Sequence, residues 1–342
     1  MISLLVVSYR SAALAAEAIR TARASTSSSL QVVVVDNSGD PAEADALRAH
    51  ADTLIAADTN RGYAGGINLG RAACSGETIV VSNPDVAFAP NAIDDLHDAL
   101  GAAAVAGPAF FWDEAHQWML PPGDLNTGPE KLDEVLASRS PVWREQRDLR
   151  RFRKRVAFWS LRQTTRTRML SGAVMAIRAA DFDRVGGFDE RFRLYFEESD
   201  FLRRIAAIRR PIVYVPGARC RHLFNQSAAQ VASEAAAHYA QSELRYLEKW
   251  NGPFVARTLK ALERPLRDYD AQPIRLPIHL DRDDVVIEAS PIATFATAAG
   301  HFPTSRELDV PKEILASLRG DLYLRVVVRA TGAILGTYKI TT

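Results

Sequence analysis

The chain has only two cysteines, Cys74 and Cys220, in 342 residues. That is too few for a disulfide framework and fits a reducing compartment. It also lacks an excess of charge. Lys and Arg number 42 against 41 Asp and Glu, leaving a formal +1, so no global field draws it to nucleic acid or a membrane. No apolar run approaches the roughly 18 residues that a membrane span needs. The opening MISLLVVSYR has no basic leader before its apolar run and no small-residue cleavage site after it. It reads as a first strand rather than a signal peptide. What is left is ordinary globular material, 47% apolar and 24% charged, enough for one large domain or two smaller ones.

The first hundred residues alternate strand and helix signals. ISLLVVSY, QVVVVDNS, DTLIAA and TIVVSNPD read as strands, and Ala12 to Arg23, Glu43 to Ala51 and a segment starting at Gly66 read as helices. The strands are continuously apolar, which argues for a parallel sheet covered on both faces. In such sheets ligands gather at the carboxyl ends of the strands. Three of those ends are polar: Ser8-Tyr9, Asp36-Asn37-Ser38 and Asn83-Pro84-Asp85. Pro84 stiffens its turn and biases Asn83 to extended backbone. Asp85 is therefore a carboxylate on a rigid turn, suited to a metal or ligand, although an ordinary solvated turn has the same composition.

Three other stretches carry possible chemistry. NRGYAGGINLG puts Gly62, Gly65 and Gly66 just before a helix, as a tight turn or as a place where N–H groups approach an anion. GGFDERFRLYFEESDFLRRI sets Glu197, Glu198 and Asp200 at or just before a helix N-terminus, behind the aromatic-rich FRLYF. Carboxylates are favourable there by about 0.3–1 kcal/mol each. One held against apolar walls could also serve as general base for an incoming hydroxyl. ARCRHLFNQS offers His222 after a buried strand and the basic pair Arg219 and Arg221.

Residues 144–168 hold ten Lys or Arg against Glu145 and Asp148, with Trp143, Phe152, Phe158 and Trp159 interleaved. The segment is either a solvated helix docked by its apolar side or a surface for an anionic acceptor or lipid headgroups. From about residue 271 the chain turns strand-rich with one short helical piece, Pro311 to Leu318. The domains expected are 1–265, carrying the 144–168 insert, and a small β-rich module over 266–342 with no catalytic constellation.

VVSYRS, VVVVDNS, NRGYAGGINLG, SNPDV, LSGAVMAIR, GGFDERFRLYFEESD and RH with Ser227 follow one another in order. In that order the chain, from Ile2 to about Ser227, resembles the family-2 inverting glycosyltransferases of GT-A fold, in the bacterial rhamnosyltransferase-like branch. The resemblance implies an α/β fold, a mostly parallel sheet flanked by helices. It implies that Ser8, Tyr9, Asp36, Asn60, Gly65, Asn68, Asn83 and Asp85 bind a nucleotide sugar. It further implies that Asp85 and His222 hold Mg2+ or Mn2+, and that Ser171, Gly172 and Asp200 face the acceptor. Glu198 falls where the family has its base, with Glu197 as its neighbour and alternative. There are two departures from the pattern. Asn83 replaces the first acid of a D-x-D turn, and glutamate replaces the usual aspartate base.

The implied activity moves a sugar, rhamnose first among candidates, to a cell-surface glycan or lipid-linked acceptor. The implied location is the cytoplasm, at the inner face of the cell membrane, with peripheral attachment through residues 144–168. A non-catalytic nucleotide-sugar binder or scaffold is the alternative. A nucleotidyltransferase is a weaker one, because SYRSAALAAEA lacks the glycines and lysine it would want.

Overall fold

The computed structural model describes residues 1–222, 232–318 and 320–341. Ser227, part of the last motif above, lies outside the described residues. The chain begins with β1 (Ile2–Ser8), α1 (Ala12–Ala24), β2 (Leu30–Asp36), α2 (Pro41–Arg48) and β3 (Thr53–Ala56). It continues with α3 (Gly62–Arg71), β4 (Thr78–Ser82), β5 (Val86–Phe88), α4 (Ala92–Ala99) and β6 (Val105–Phe111). Two helices follow, α5 (Gly128–Ala137) and α6 (Pro141–Trp159). Next come β7 (Thr165–Thr167), β8 (Val174–Arg178), α7 (Ala179–Arg184), α8 (Glu197–Ala207) and β9 (Ile212–His222). Then α9 (Ala232–Asn251) and α10 (Pro253–Leu262) lead to β10 (Gln272–Pro273), β11 (Ile278–His279), β12 (Val285–Ser290) and β13 (Ala299–His301). The chain closes with β14 (Glu307–Leu308), α11 (Lys312–Ala316), β15 (Leu322–Val328) and β16 (Ile334–Ile340).

The chain divides into two compact units. The first comprises residues 1–109, 123–126 and 162–256; the second comprises 110–122, 127–161 and 257–342. The first is built on a mixed sheet in the order β3-β2-β1-β4-β8-β6-β9-β5, with β7 also paired to β9. β1, β2, β3 and β4 run parallel, while β8 is antiparallel to both β4 and β6, and β9 to β5 and β7. Every residue of β1 and β4 is buried, which is why those strands read as unbroken apolar runs. Burying a valine or leucine side chain contributes about 1.5–3 kcal/mol, and this concentration of them fixes the centre of the sheet.

Helix α3 starts at Gly62, four residues before the sequence expectation, so the glycines lie inside it. Two of them, Gly66 and Gly70, pack closely on the sheet. A Cβ on Gly66 would stand 2.7 Å from a Val7 methyl, and one on Gly70 would stand 2.3 Å from Leu5. Only bare backbone lets the helix sit this near β1.

The second unit holds the sheet β10-β16-β15-β12-β13 and the short pair β11-β14. Helix α6 contributes Phe152 and Trp159 to a buried cluster with Val286 and Val327. Gly300 leaves room for the Trp159 ring. Buried Glu288 accepts from Arg155 at 2.9 Å and from Arg325 at 3.0 Å. Arg147 is buried beside Asp133 and Glu134, and Arg151 donates to the Ala296 carbonyl. The sequence reading set residues 144–161 in the first domain as a solvated or docking insert. They lie in the second unit, with Arg147 and Arg155 buried and Arg144 and Arg151 partly so, because partners for them come from the C-terminal segment and from α5.

Candidate active site

All the residues that follow belong to the first unit. Register decides which strand ends meet. Ser8 stands opposite Asp36, and Val6 opposite Ser82, so the polar ends of β1, β2 and β4 emerge at one edge. Asp36 is 1% exposed. Its Oδ1 accepts from the Ser38 N–H at 2.8 Å, and its Oδ2 has no partner among the described residues. A buried carboxylate oxygen left open costs free energy unless a ligand or water completes it. Ser8 Oγ meets Ser11 Oγ at 3.0 Å, while Tyr9 is exposed, with the Arg10 guanidinium over its ring.

The glycine-rich segment is tied to this edge through its amides. Asn60 Oδ1 accepts from the Gly62 N–H at 2.8 Å, and Asn37 Nδ2 donates to the Gly62 carbonyl at 2.9 Å. Gly65 is buried, its Cα facing Arg61 and Glu190. Asn68 departs from its expected place in the nucleotide pocket. Its Oδ1 accepts from the Phe188 N–H, and its Nδ2 donates to the Phe188 carbonyl and to Glu190, each at 2.9 Å. The carboxamide is used up in closing the Gly186-Gly187 turn, whose positive φ values need glycine.

Asp85 and His222 do meet. Strand β5 pairs with β9 so that Val86 faces His222, and His222 Nε2 lies 3.3 Å from Asp85 Oδ1. The turn before Asp85 is anchored where the Asn83 N–H donates to the Ala173 carbonyl at 2.8 Å. No group of three or more His, Cys, Asp or Glu able to hold a metal occurs among the described residues. One carboxylate and one imidazole nonetheless suit a divalent ion such as Mn2+ that takes its remaining ligands from substrate oxygens and water.

The acidic stretch sorts into three different environments. Helix α8 begins at Glu197, after two consecutive left-handed residues, Tyr195 at φ +68 and Phe196 at φ +67. Left-handed backbone is costly for aromatic side chains and tends to persist at functional sites. Glu197 is buried, with an Oε2 that has no partner among the described residues. Burial, and then the charge of Glu198, push its carboxyl well above the usual range. Glu198 is half-buried and accepts from Ser199 Oγ at 3.2 Å. Burial raises its carboxyl too, against the opposing pull of first-turn N–H groups and the Ser199 hydroxyl. A carboxylate that holds a proton more tightly than usual is a better proton acceptor once ionised.

Asp200 is different. It is fully buried, with Oδ2 accepting from Arg204 at 2.8 Å and Oδ1 from Trp250 at 3.0 Å and Lys249 at 2.6 Å. It fastens α8 to α9 and is closed to an acceptor, against the expectation. Ser171 Oγ accepts from the Ala173 N–H at 3.3 Å. Gly172 lies directly against Glu198, where a Cβ would come within 3.1 Å of Glu198 Cβ.

Tyr63 was missed in the sequence reading. Its hydroxyl donates to the Gly172 carbonyl at 3.1 Å. Burial and the carboxylates of Glu197, Glu198 and Asp85 push its ionisation far up, so its ring feels both acidic groups of the site. The only signal in the sequence was an aromatic residue set directly after a turn glycine.

The family model described as "Glycosyltransferase like family 2" matches residues 1–248. An N-acetylglucosaminyl-diphospho-decaprenol L-rhamnosyltransferase of Mycobacterium tuberculosis, curated from two strains, is 27% identical over 183 residues. That match takes in 51% of this chain and 56% of the relative, so the chain spans little more than half the length of the curated relatives it matches. Among solved structures, a mannosyltransferase from Pyrobaculum calidifontis in complex with GDP-Man and Mn2+ is similar, with TM-score 0.47 and 16% identity. The likeness covers 76% of this chain and 73% of that one. S. aureus TarS 1-349 is similar with TM-score 0.42 and 16% identity, over 69% and 64% of the two chains. With the family model spanning residues 1–248, well over half of the chain and the whole of the first sheet, the chain belongs to the glycosyltransferase-like family 2.

Proposed function

We propose that the protein is a metal-assisted, inverting glycosyltransferase that moves a sugar, rhamnose by preference, from a nucleotide sugar to a glycan or lipid-linked acceptor. One observation carries the reading. A candidate ion-holding pair, Asp85 and His222 at 3.3 Å, shares a compact unit with a carboxylate, Glu198, that burial has made more basic. The name of the curated relatives, with its diphospho-decaprenol acceptor and L-rhamnosyl product, favours a lipid-linked acceptor and rhamnose. Such an acceptor favours the cytoplasmic face of a membrane. No helix among the described residues is long and apolar enough to cross one. Peripheral attachment would fall to the exposed part of residues 144–168.

The donor enters at the polar strand ends. Asp36 supplies an open carboxylate oxygen to a ribose hydroxyl or a nucleobase N–H, and the glycine-rich start of α3 borders the phosphates. Asp85 and His222 would hold Mg2+ or Mn2+, which when bound offsets charge on the leaving diphosphate. Glu198 accepts the proton of the acceptor hydroxyl as that oxygen attacks the anomeric carbon. The glycosidic bond to the diphosphate breaks on the opposite face, so one displacement inverts the centre.

The test is a thermal-shift panel of nucleoside diphosphates and nucleotide sugars with Mn2+, followed by turnover. A donor at about 100 times its Kd adds roughly 2.7 kcal/mol of stability. Glu198→Gln is expected to lower kcat by about 10² to 10⁴ with donor affinity kept within a few fold. Asp85→Asn is expected to weaken donor binding as well as turnover. Stabilisation by nucleotide sugars with no turnover of any would return the protein to a non-catalytic binder.

A further inference from the structure

Tyr63 joins three segments that are far apart in sequence. Gly62 has φ +74 and passes so close to Arg193 that a Cβ would stand 2.4 Å from its carbonyl oxygen. The next N–H, that of Tyr63, donates to the same carbonyl at 3.0 Å. These contacts fix the start of α3 on the loop that leads into α8, and with it the direction of the Tyr63 side chain. The hydroxyl then reaches the Gly172 carbonyl at 3.1 Å. Gly172 in turn forms the surface against which Glu198 rests, its Cα close enough that a Cβ would meet Glu198 Cβ at 3.1 Å and Cγ at 3.2 Å.

We infer that Tyr63 is a positioning residue for the base: by holding the Gly172 carbonyl it sets the backbone floor that aims Glu198 at the incoming hydroxyl. The inference rests on the reading of Glu198 as the base. Tyr63 is half-buried, and desolvation with the charges of Glu197, Glu198 and Asp85 pushes its ionisation up, so its hydroxyl stays protonated and keeps donating. Gly172 is then required for a second reason. A side chain there would press on Glu198 at 3.1 Å from its Cβ.

The experiment is a double-mutant cycle. Release of nucleoside diphosphate from dTDP-rhamnose, UDP-GlcNAc and GDP-mannose is followed with Mn2+, water standing in for the acceptor hydroxyl. Wild type, Tyr63→Phe, Glu198→Gln and the double variant are compared on the full chain. Phenylalanine keeps the ring and removes only the donated proton. Tyr63→Phe is expected to lower kcat about tenfold at an unchanged donor KM, and to cost less than about twofold when Glu198 is already glutamine. Gly172→Ala, which disturbs the same floor from the other side, is expected to show the same loss of effect in the Glu198→Gln background. A tenfold cost of Tyr63→Phe in both backgrounds would mean a merely structural bond and overturn the inference, as would no cost in either. A Glu198→Gln enzyme as fast as wild type, or a wild type inert on all three sugars, overturns the reading beneath it instead.

Discussion

Glu197 and Glu198 are neighbours in sequence, yet their environments separate them. Glu197 is the more buried and has the open oxygen, so its charged form is the more poorly solvated. Its folded-state carboxyl lies well above the usual range because of burial first and Glu198 second. The sign follows from linkage. Below the unfolded pKa both states carry the proton and nothing is lost, and stability falls as pH rises through the raised folded value. Glu197→Gln removes that loss. The variant is therefore expected to melt above wild type at pH 8, with the gain shrinking toward pH 4, measured by calorimetry across that range. A gain independent of pH would show that packing rather than charge is responsible. Burial raises Glu198 as well, so the acid limb of the activity profile is expected above the ordinary glutamate range. Residue types and their placement in a helix first turn were legible in the sequence. The distinction between Asp200 and the two glutamates was not, because Lys249 and Trp250, which occupy Asp200, arrive from a helix far along the chain.

At the scale of elements, the buried strands were the most legible part, since β1, β2 and β4 are runs of valine, leucine and isoleucine with few competing readings. The start of α3 was misplaced for a stated physical reason. Glycine has a poor helix propensity, about 1 kcal/mol below alanine, so the stretch from Gly62 to Gly65 looks like a turn until the strand beneath it is known. Tertiary contact overrides propensity here. Gly70→Ala would drive a Cβ within 2.3 Å of Leu5 and 2.8 Å of Val35. Overpacking of that kind costs about 1–3 kcal/mol, more than alanine's propensity gain. Gly65→Ala meets its nearest neighbour, the Arg61 Cβ, at 3.0 Å and is expected to be the milder change. Denaturant melts of the two variants decide the matter: equal stability would mean that the glycines serve ligand approach rather than packing. The meeting of Asp85 with His222 belongs to the same scale. Each was nameable from sequence, but only the β5–β9 register brings them together.

For the whole molecule, the formal charge of +1 hides the concentration of ten basic residues in 144–168. The sequence could count them but not orient them, since their partners Glu288 and Ala296 come from a strand and a connection more than a hundred residues later. Within α6, Arg147 and Arg155 are buried and only Arg150, Arg153 and Lys154 are exposed. Arg150 is held by Asp133 at 2.6 Å. Replacing Arg155 would leave Glu288 short of one partner inside the second unit, so it reports on stability and not on a surface. Arg153 and Lys154 are the fair test of attachment to an anionic membrane. Each basic residue near such a surface contributes about 1 kcal/mol. Reversing both to glutamate is therefore expected to weaken sedimentation with phosphatidylserine-containing vesicles by at least about tenfold at low salt. The difference should fade as ionic strength rises, because the Debye length falls to about 8 Å at 0.15 M. Donor-induced thermal shifts should be untouched, since both residues lie outside the unit that holds Asp85 and Glu198. Vesicle binding equal to wild type at low salt would remove this helix from any membrane role.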